Sequence, residues 1–168
     1  MPTETINVEL IKKMIAAIKA KPQMFDMNYE FAFLKNNCRW PFNPQSVSLE
    51  NLLQIEKEQE CGAHCCMVGW ANLCSTSVPI SKSALESRTN AYVALNIDNE
   101  YFSQIGYDSN DAWEYWEKVG IVKNYCFELI TPEDGISVLE HLLNEELPFF
   151  DLETNTFRVM THDEIALR

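Results

Sequence analysis

The fourteen residues Cys61-Gly62-Ala63-His64-Cys65-Cys66-Met67-Val68-Gly69-Trp70-Ala71-Asn72-Leu73-Cys74 contain no Asp, Glu, Lys or Arg, and the segments on both sides are acidic and amphipathic. At about 100° per residue, Cys61, Cys65, Val68 and Asn72 fall along one side of a helix. Gly62, Gly69 and Leu73 fall along an adjacent side, and Met67, Trp70, Ala71 and Cys74 fill the rest. A helix that is apolar all round has to be enclosed by other elements. Gly62 and Gly69 share one face and would admit a close neighbour, which must offset about 1 kcal/mol of lost helix propensity per glycine. Alternatively Gly62 belongs to the turn that opens the helix. Cys61 then sits at the N-terminus, where free N–H groups and the helix dipole favour a thiolate. Either way the pattern predicts a mainly α fold: a single compact helical domain spanning 1–168 around a buried central helix at about 61–74.

The flanking segments supply the shell. Ile6, Leu10, Ile11, Met14, Ile15, Ala17 and Ile18 form the stripe of a first helix over 5–20, with Thr5 as a cap, Lys12, Lys13 and Lys19 outside, and Pro22 as its end. Aromatic residues crowd the irregular stretch 25–44, where a brief helix at 30–35 fits and Tyr29, Phe31, Phe33, Trp40 and Phe42 wrap the centre. Ser48 can cap a helix at 49–59, and another spans 82–95. In 111–119, Ala112, Trp113, Tyr115, Trp116 and Val119 occupy one arc and Asp111, Glu114 and Glu117 the other. Residues 120–127 read as an extended linker. Thr131-Pro132-Glu133-Asp134 is the clearest helix start in the chain, with Thr131 the cap and Asp134 the capping-box acid. The β-prone tail 154–160 predicts a small hairpin or strand near the C-terminus.

Charge is uneven. Residues 1–39 carry a net +2 and residues 40–168 a net −14, giving −12 over the 168 residues. That balance disfavours nucleic acid, whose phosphates require clustered Lys and Arg. It fits either a basic protein partner or plain solubility. No run approaches the length of a membrane-spanning helix, and the start Met-Pro-Thr-Glu-Thr has no basic region of an export signal. With adjacent thiols at Cys65 and Cys66 poorly placed for disulfides, a reducing cytoplasm is the expected setting.

The pattern Cys-Gly-x-x-x-Cys-x-x-Gly-Trp-Ala, carried here by Cys61, Gly62, the adjacent Cys65 and Cys66, Gly69, Trp70 and Ala71, resembles one found in short phage and prophage proteins. Their form is nearer Cys-Gly-Thr-x-x-Cys-Ile-Ala-Gly followed by Trp or His and Ala. Here Ala63 stands for the threonine and Met67-Val68 for Ile-Ala. The segments Pro22–Met27 and Thr131–Asp134 fit the same resemblance. It implies an accessory protein in the host-cell cytoplasm, for instance one that blocks a host factor, and brings no activity with it.

Two chemistries are open to the residues themselves. Cys61 or Cys65 as thiol nucleophile, with His141 or His162 as base, would make a cysteine-dependent enzyme. Cys61, His64, Cys65 and Cys66, completed by Cys38 or Cys126, would need a second ligand pair for structural zinc; none is present, so no metal and no cofactor is assigned. Phosphate-binding glycine loops are absent. The reading preferred over an enzyme is a small acidic binding or inhibitory protein that meets a basic protein surface. The acidic face Asp111, Glu114 and Glu117 is its candidate contact, because Trp113 and Trp116 commit the opposite arc to the core.

Overall fold

Of the run 61–74, residues 65–74 are buried at the centre of the molecule, but only 67–74 are helical. In the computed structural model, which describes residues 5–28, 32–33, 50, 53–54, 63–75, 84–106 and 110–167, Ala63 and His64 form a strand. The elements are helix α1 (Val8–Ala20), a 3₁₀ turn (Pro22–Met24), strands β1 (Ala32–Phe33) and β2 (Ala63–His64), and helices α2 (Met67–Cys74), α3 (Ala84–Leu95), α4 (Asn99–Gly106), α5 (Asn110–Lys118) and α6 (Pro132–Leu143). Strands β3 (Pro148–Asp151) and β4 (Thr156–Val159) and the short helix α7 (His162–Ile165) complete it. The protein is mainly helical with a two-stranded antiparallel hairpin near its C-terminus.

Backbone pairing explains why the central helix begins six residues later than its periodicity predicts. Ala63 and His64 pair antiparallel with Phe33 and Ala32. The Cys65 N–H donates to Met24 at 2.8 Å, and the Asp26 N–H donates to Cys65 at 3.0 Å. Those bonds hold 63–66 extended, and the same pairing replaces the expected helix at 30–35 with β1. Cys65 and Cys66 point to opposite sides of this extended segment and both are buried. A strand covered on both faces is apolar at every position, just as an enclosed helix is.

Every residue of α2 is buried, with Trp70, Met67, Val68 and Ala71 fully so. It packs against α1 and α3 and touches α4, while α1 also packs along α6. Asn72, buried inside α2, donates to the carbonyl and hydroxyl oxygens of Ser87 on α3. The carbonyl of Cys74, at the negative end of α2, accepts from Lys13 Nζ at 2.7 Å. The α1 stripe is buried as its spacing predicts, although Asn7 rather than Thr5 caps the helix by accepting from the Leu10 N–H. Trp113 and Trp116 of α5 are fully buried and meet edge to face at 5.2 Å.

Helix α6 opens as the sequence predicts. The Thr131 hydroxyl accepts from the Asp134 N–H, and the Asp134 carboxylate accepts from the Thr131 N–H. Asp134 does more than cap. It also accepts from the Lys123 N–H at 2.6 Å and from Asn124 Nδ2 at 3.0 Å, so it gathers the segment 121–124 onto the helix. That segment runs through turns and bends rather than as a strand. Burial opposes the charge on Asp134, but these hydrogen bonds outweigh it and hold the carboxyl below its usual range. The next residue, Gly135, lies so close to Phe25 that a Cβ there would stand 2.5 Å from the ring.

Both ends of the described chain fasten to one turn. Asn96, left-handed at φ 54°, follows the last residue of α3 and reverses the backbone. Asn7 bonds to Ala94 and Leu95, and Asn96 Nδ2 donates to the Thr5 carbonyl. From the other end, Ala166 bridges Ile97, and the Leu167 N–H donates to Asn96 at 3.0 Å.

Candidate functional site

Most candidate residues of the central run serve packing. Cys65 is inaccessible, and burial pushes its thiol well above the usual range, with Cys66 and Cys74 raising it further. Burial likewise pushes the Cys74 thiol up to about 12 despite the nearby Lys13 ammonium. A nucleophile needs the opposite, an accessible thiol whose thiolate is favoured. Cys61, Gly62 and Cys38 lie outside the described residues, as do the aromatic residues Tyr29, Phe31, Trp40 and Phe42 and most of the expected helix 49–59. His141 sits on α6 with Nδ1 2.7 Å from the Ser137 carbonyl, so that nitrogen carries the proton. His162 is held at the other side of the α6 C-terminus, Nε2 2.8 Å from the Leu142 carbonyl.

His64 is half-buried, with Nδ1 3.4 Å from the Asp26 carboxylate but not aligned for a hydrogen bond. Asp26 is engaged instead by the Asn28 backbone and side chain. Among the described residues no three His, Cys, Asp or Glu side chains are disposed to hold a metal ion. Cys126 is exposed in the turn before α6.

Asp111 is exposed on α5, and Glu114 and Glu117 are half-exposed. Glu114 is already paired with Lys118 one turn on, at 2.8 Å. The acidic face predicted there exists, though part of its charge is neutralised locally.

A further candidate site lies at the C-terminal end, where the sequence pointed to β propensity at 154–160 and to His162 but not to a cleft. A cleft of about 320 Å³ is lined by Asp98, Glu100, Tyr101, Arg158, Met160, Glu164 and Ala166. Its geometry follows from how the hairpin is seated. Strand β3 is wedged between α4 and α5: Gln104 of α4 exchanges both amide bonds with Phe150, each at 2.8 Å, and Trp116 Nε1 donates to the Pro148 carbonyl at 2.9 Å. Tyr101 meets Phe149 edge to face at 5.4 Å, and Tyr115 stacks on Phe157 at 3.9 Å from the opposite side. The two faces of the hairpin are thereby clamped by neighbouring helices.

Arg158 crosses the cleft wall between two carboxylates, 3.3 Å from Asp151 and 3.1 Å from Glu164. Hydrogen bonding to Glu164, and then to Asp151, raises the guanidinium further. Glu164 is held below its usual range by the Thr161 N–H first and by Arg158 second. Burial, reinforced by Glu100, pushes the Tyr101 phenol up, so the hydroxyl stays protonated. Among the described residues the one cation lining the cleft is thus spent, while Asp98 and Glu100 have no basic partner. Such a lining can receive a cationic group.

No helix among the described residues is long and apolar enough to cross a membrane. Comparison with protein-family models, with curated proteins and with solved structures gave no match.

Proposed function

We propose that the protein is a small acidic binding or inhibitory protein of the cytoplasm, which engages a basic surface of another protein at its hairpin end. The observation that carries this reading is the cleft, where, among the described residues, the one lining cation is already paired and the remaining charges are Asp98 and Glu100. The burial of Cys65 and its raised thiol support binding over thiol chemistry. Within the setting that the resemblance to phage and prophage proteins implies, the partner is a host factor blocked by occupation. The carboxylates of α5 (Asp111, Glu114 and Glu117) form a second row that could share the contact.

Electrostatic steering raises association rates by about 10–10³, and screening removes the gain once the Debye length falls below about 10 Å. Association with an oligolysine probe, followed by stopped flow at several salt concentrations, should slow steeply as salt rises. Reversing the exposed Glu100, Glu153 and Asp163 to Lys should abolish the fast phase, whereas reversing Asp111, Glu114 and Glu117 should reduce it less. Equal losses in the two triple variants would reduce the effect to net charge and sink the assignment to the hairpin end. Rates indifferent to salt would remove the basic partner altogether.

A further inference from the structure

The two edges of the hairpin are treated differently. On β3, the N–H and C=O of Phe150 are both consumed by Gln104, and the C=O of Pro148 is consumed by Trp116. These groups therefore point away from β4. In an antiparallel ladder, pairs that exchange backbone bonds alternate with pairs that do not. The register sets Pro148 opposite Val159 and Phe150 opposite Phe157, so both are pairs of the second kind. By the same alternation the N–H and C=O of Phe157 and Val159 point outward, away from β3. The sheet has two strands, and among the described residues nothing pairs with that outer edge.

A free edge is a template for a further strand, and proteins usually blunt or cover one. Among the described residues the covering falls on β3 alone. The open strand is also held rigidly: Phe157 is pinned by Tyr115 and packed on Phe150, and Arg158 is braced between Asp151 and Glu164. Val159 is 53% exposed at the edge, and Leu152 in the adjoining turn is 66% exposed.

From this we infer that β4 is a strand-addition site that accepts an extended, basic segment of a partner protein. The inference rests on the reading of a basic partner and says how that partner is held. Backbone bonds to Phe157 and Val159 supply a sequence-independent grip, and alternate side chains supply selectivity. On one face the added strand lies beside Phe157 and Val159 and takes an apolar residue. On the other it lies beside Thr156 and Arg158, the face that Met160 continues into the cleft, so a lysine or arginine there reaches Asp98 and Glu100. A second copy of this chain is the poorer occupant. It would bring another −12 of charge and set the carboxylates flanking one β4 against those flanking the other.

The test uses the full chain and a short capped peptide of alternating valine and lysine, together with the same peptide N-methylated on the residues that would face β4. Adding the unmodified peptide should slow amide exchange at Phe157 and Val159, read residue by residue by NMR, and the N-methylated peptide should not. Val159→Pro removes one outward N–H but no bond to β3, and Pro is tolerated on an edge. It should weaken the peptide by about tenfold while exchange at Thr156 and Arg158 shows the hairpin intact. Glu100→Lys should weaken it too and flatten its salt dependence. Salt-dependent binding that ignores both N-methylation and Val159→Pro would overturn the strand-addition site and leave the acidic reading standing. Loss of all salt-dependent binding would overturn both. A wild-type dimer in sedimentation that Val159→Pro dissociates would make a second copy the occupant and overturn the basic-segment assignment.

Discussion

The centre of the molecule and its hairpin end use polar groups in opposite ways. Around α2, chemically capable side chains are withdrawn: Cys65, Cys66 and Cys74 are buried, and Asn72 is spent on Ser87. At the hairpin, residues of little intrinsic reactivity leave backbone donors, acceptors and carboxylates at the surface. The difference teaches that reactive residue types mark a site only when the fold leaves them accessible. A four-residue strand can be the more capable surface because of what its neighbours decline to cover.

Reactivity offers the largest contrast to break. Under native conditions iodoacetamide should label exposed Cys126 readily. Cys65, Cys66 and Cys74 should react only through opening of the fold, slower by a factor on the order of a thousand or more. Peptide mapping after timed quenching reads each site, and native labelling of Cys65 as fast as Cys126 would reverse the roles given to the two regions.

Packing offers the next. Gly135→Ala places a methyl 2.5 Å from the Phe25 ring, which must shift within the core to admit it. The expected loss is about 3 kcal/mol in urea titration. A loss under half that would mean the Phe25 segment shifts easily, and the centre would be less rigid than the contrast requires.

The smallest effect sharpens where charge can be buried. Asp134→Asn should cost roughly 2 kcal/mol near neutral pH, because donors aimed at a carboxylate meet an amide instead. The folded-state value of Asp134 lies below the ordinary carboxyl range. Its contribution is therefore complete above that range and is lost as pH falls through the folded value. Thermal melts should show wild type and variant converging in acid. A difference that stays constant down to low pH would mean the carboxylate is not what holds segment 121–124 to α6.

The parts legible in the sequence were those governed by local rules. The stripe of α1, the Thr131–Asp134 cap and the burial of Trp113 and Trp116 all follow from helical spacing and capping chemistry. What failed was non-local. The extended form of 63–66 depends on Met24 and Asp26, some forty residues away in the chain, and an apolar run cannot distinguish a doubly covered strand from an enclosed helix. Helix α4, two turns long, went unread, and one of its inward positions is the polar Gln104, whose amide bonds to Phe150. The need for glycine at 135 was invisible because it is set by the Phe25 ring. Of the site, the acidity was legible as a count of carboxylates. The open edge of β4 was not, since it is defined by Gln104 and Trp116 occupying the other one.

The turn at Asn96 has a consequence for how the chain reaches this state. Segments 87 and 91 residues apart in sequence are tied there, and Ala166, just past α7, returns to the same point. The backbone therefore describes two long loops closed on a common knot, although most of its contacts are helical. Closing each loop costs entropy that grows only logarithmically with its length, but it must be met before the closing contacts repay it. Folding speed should then be set by these two closures rather than by helix formation, placing the protein among slower mixed topologies instead of fast local bundles.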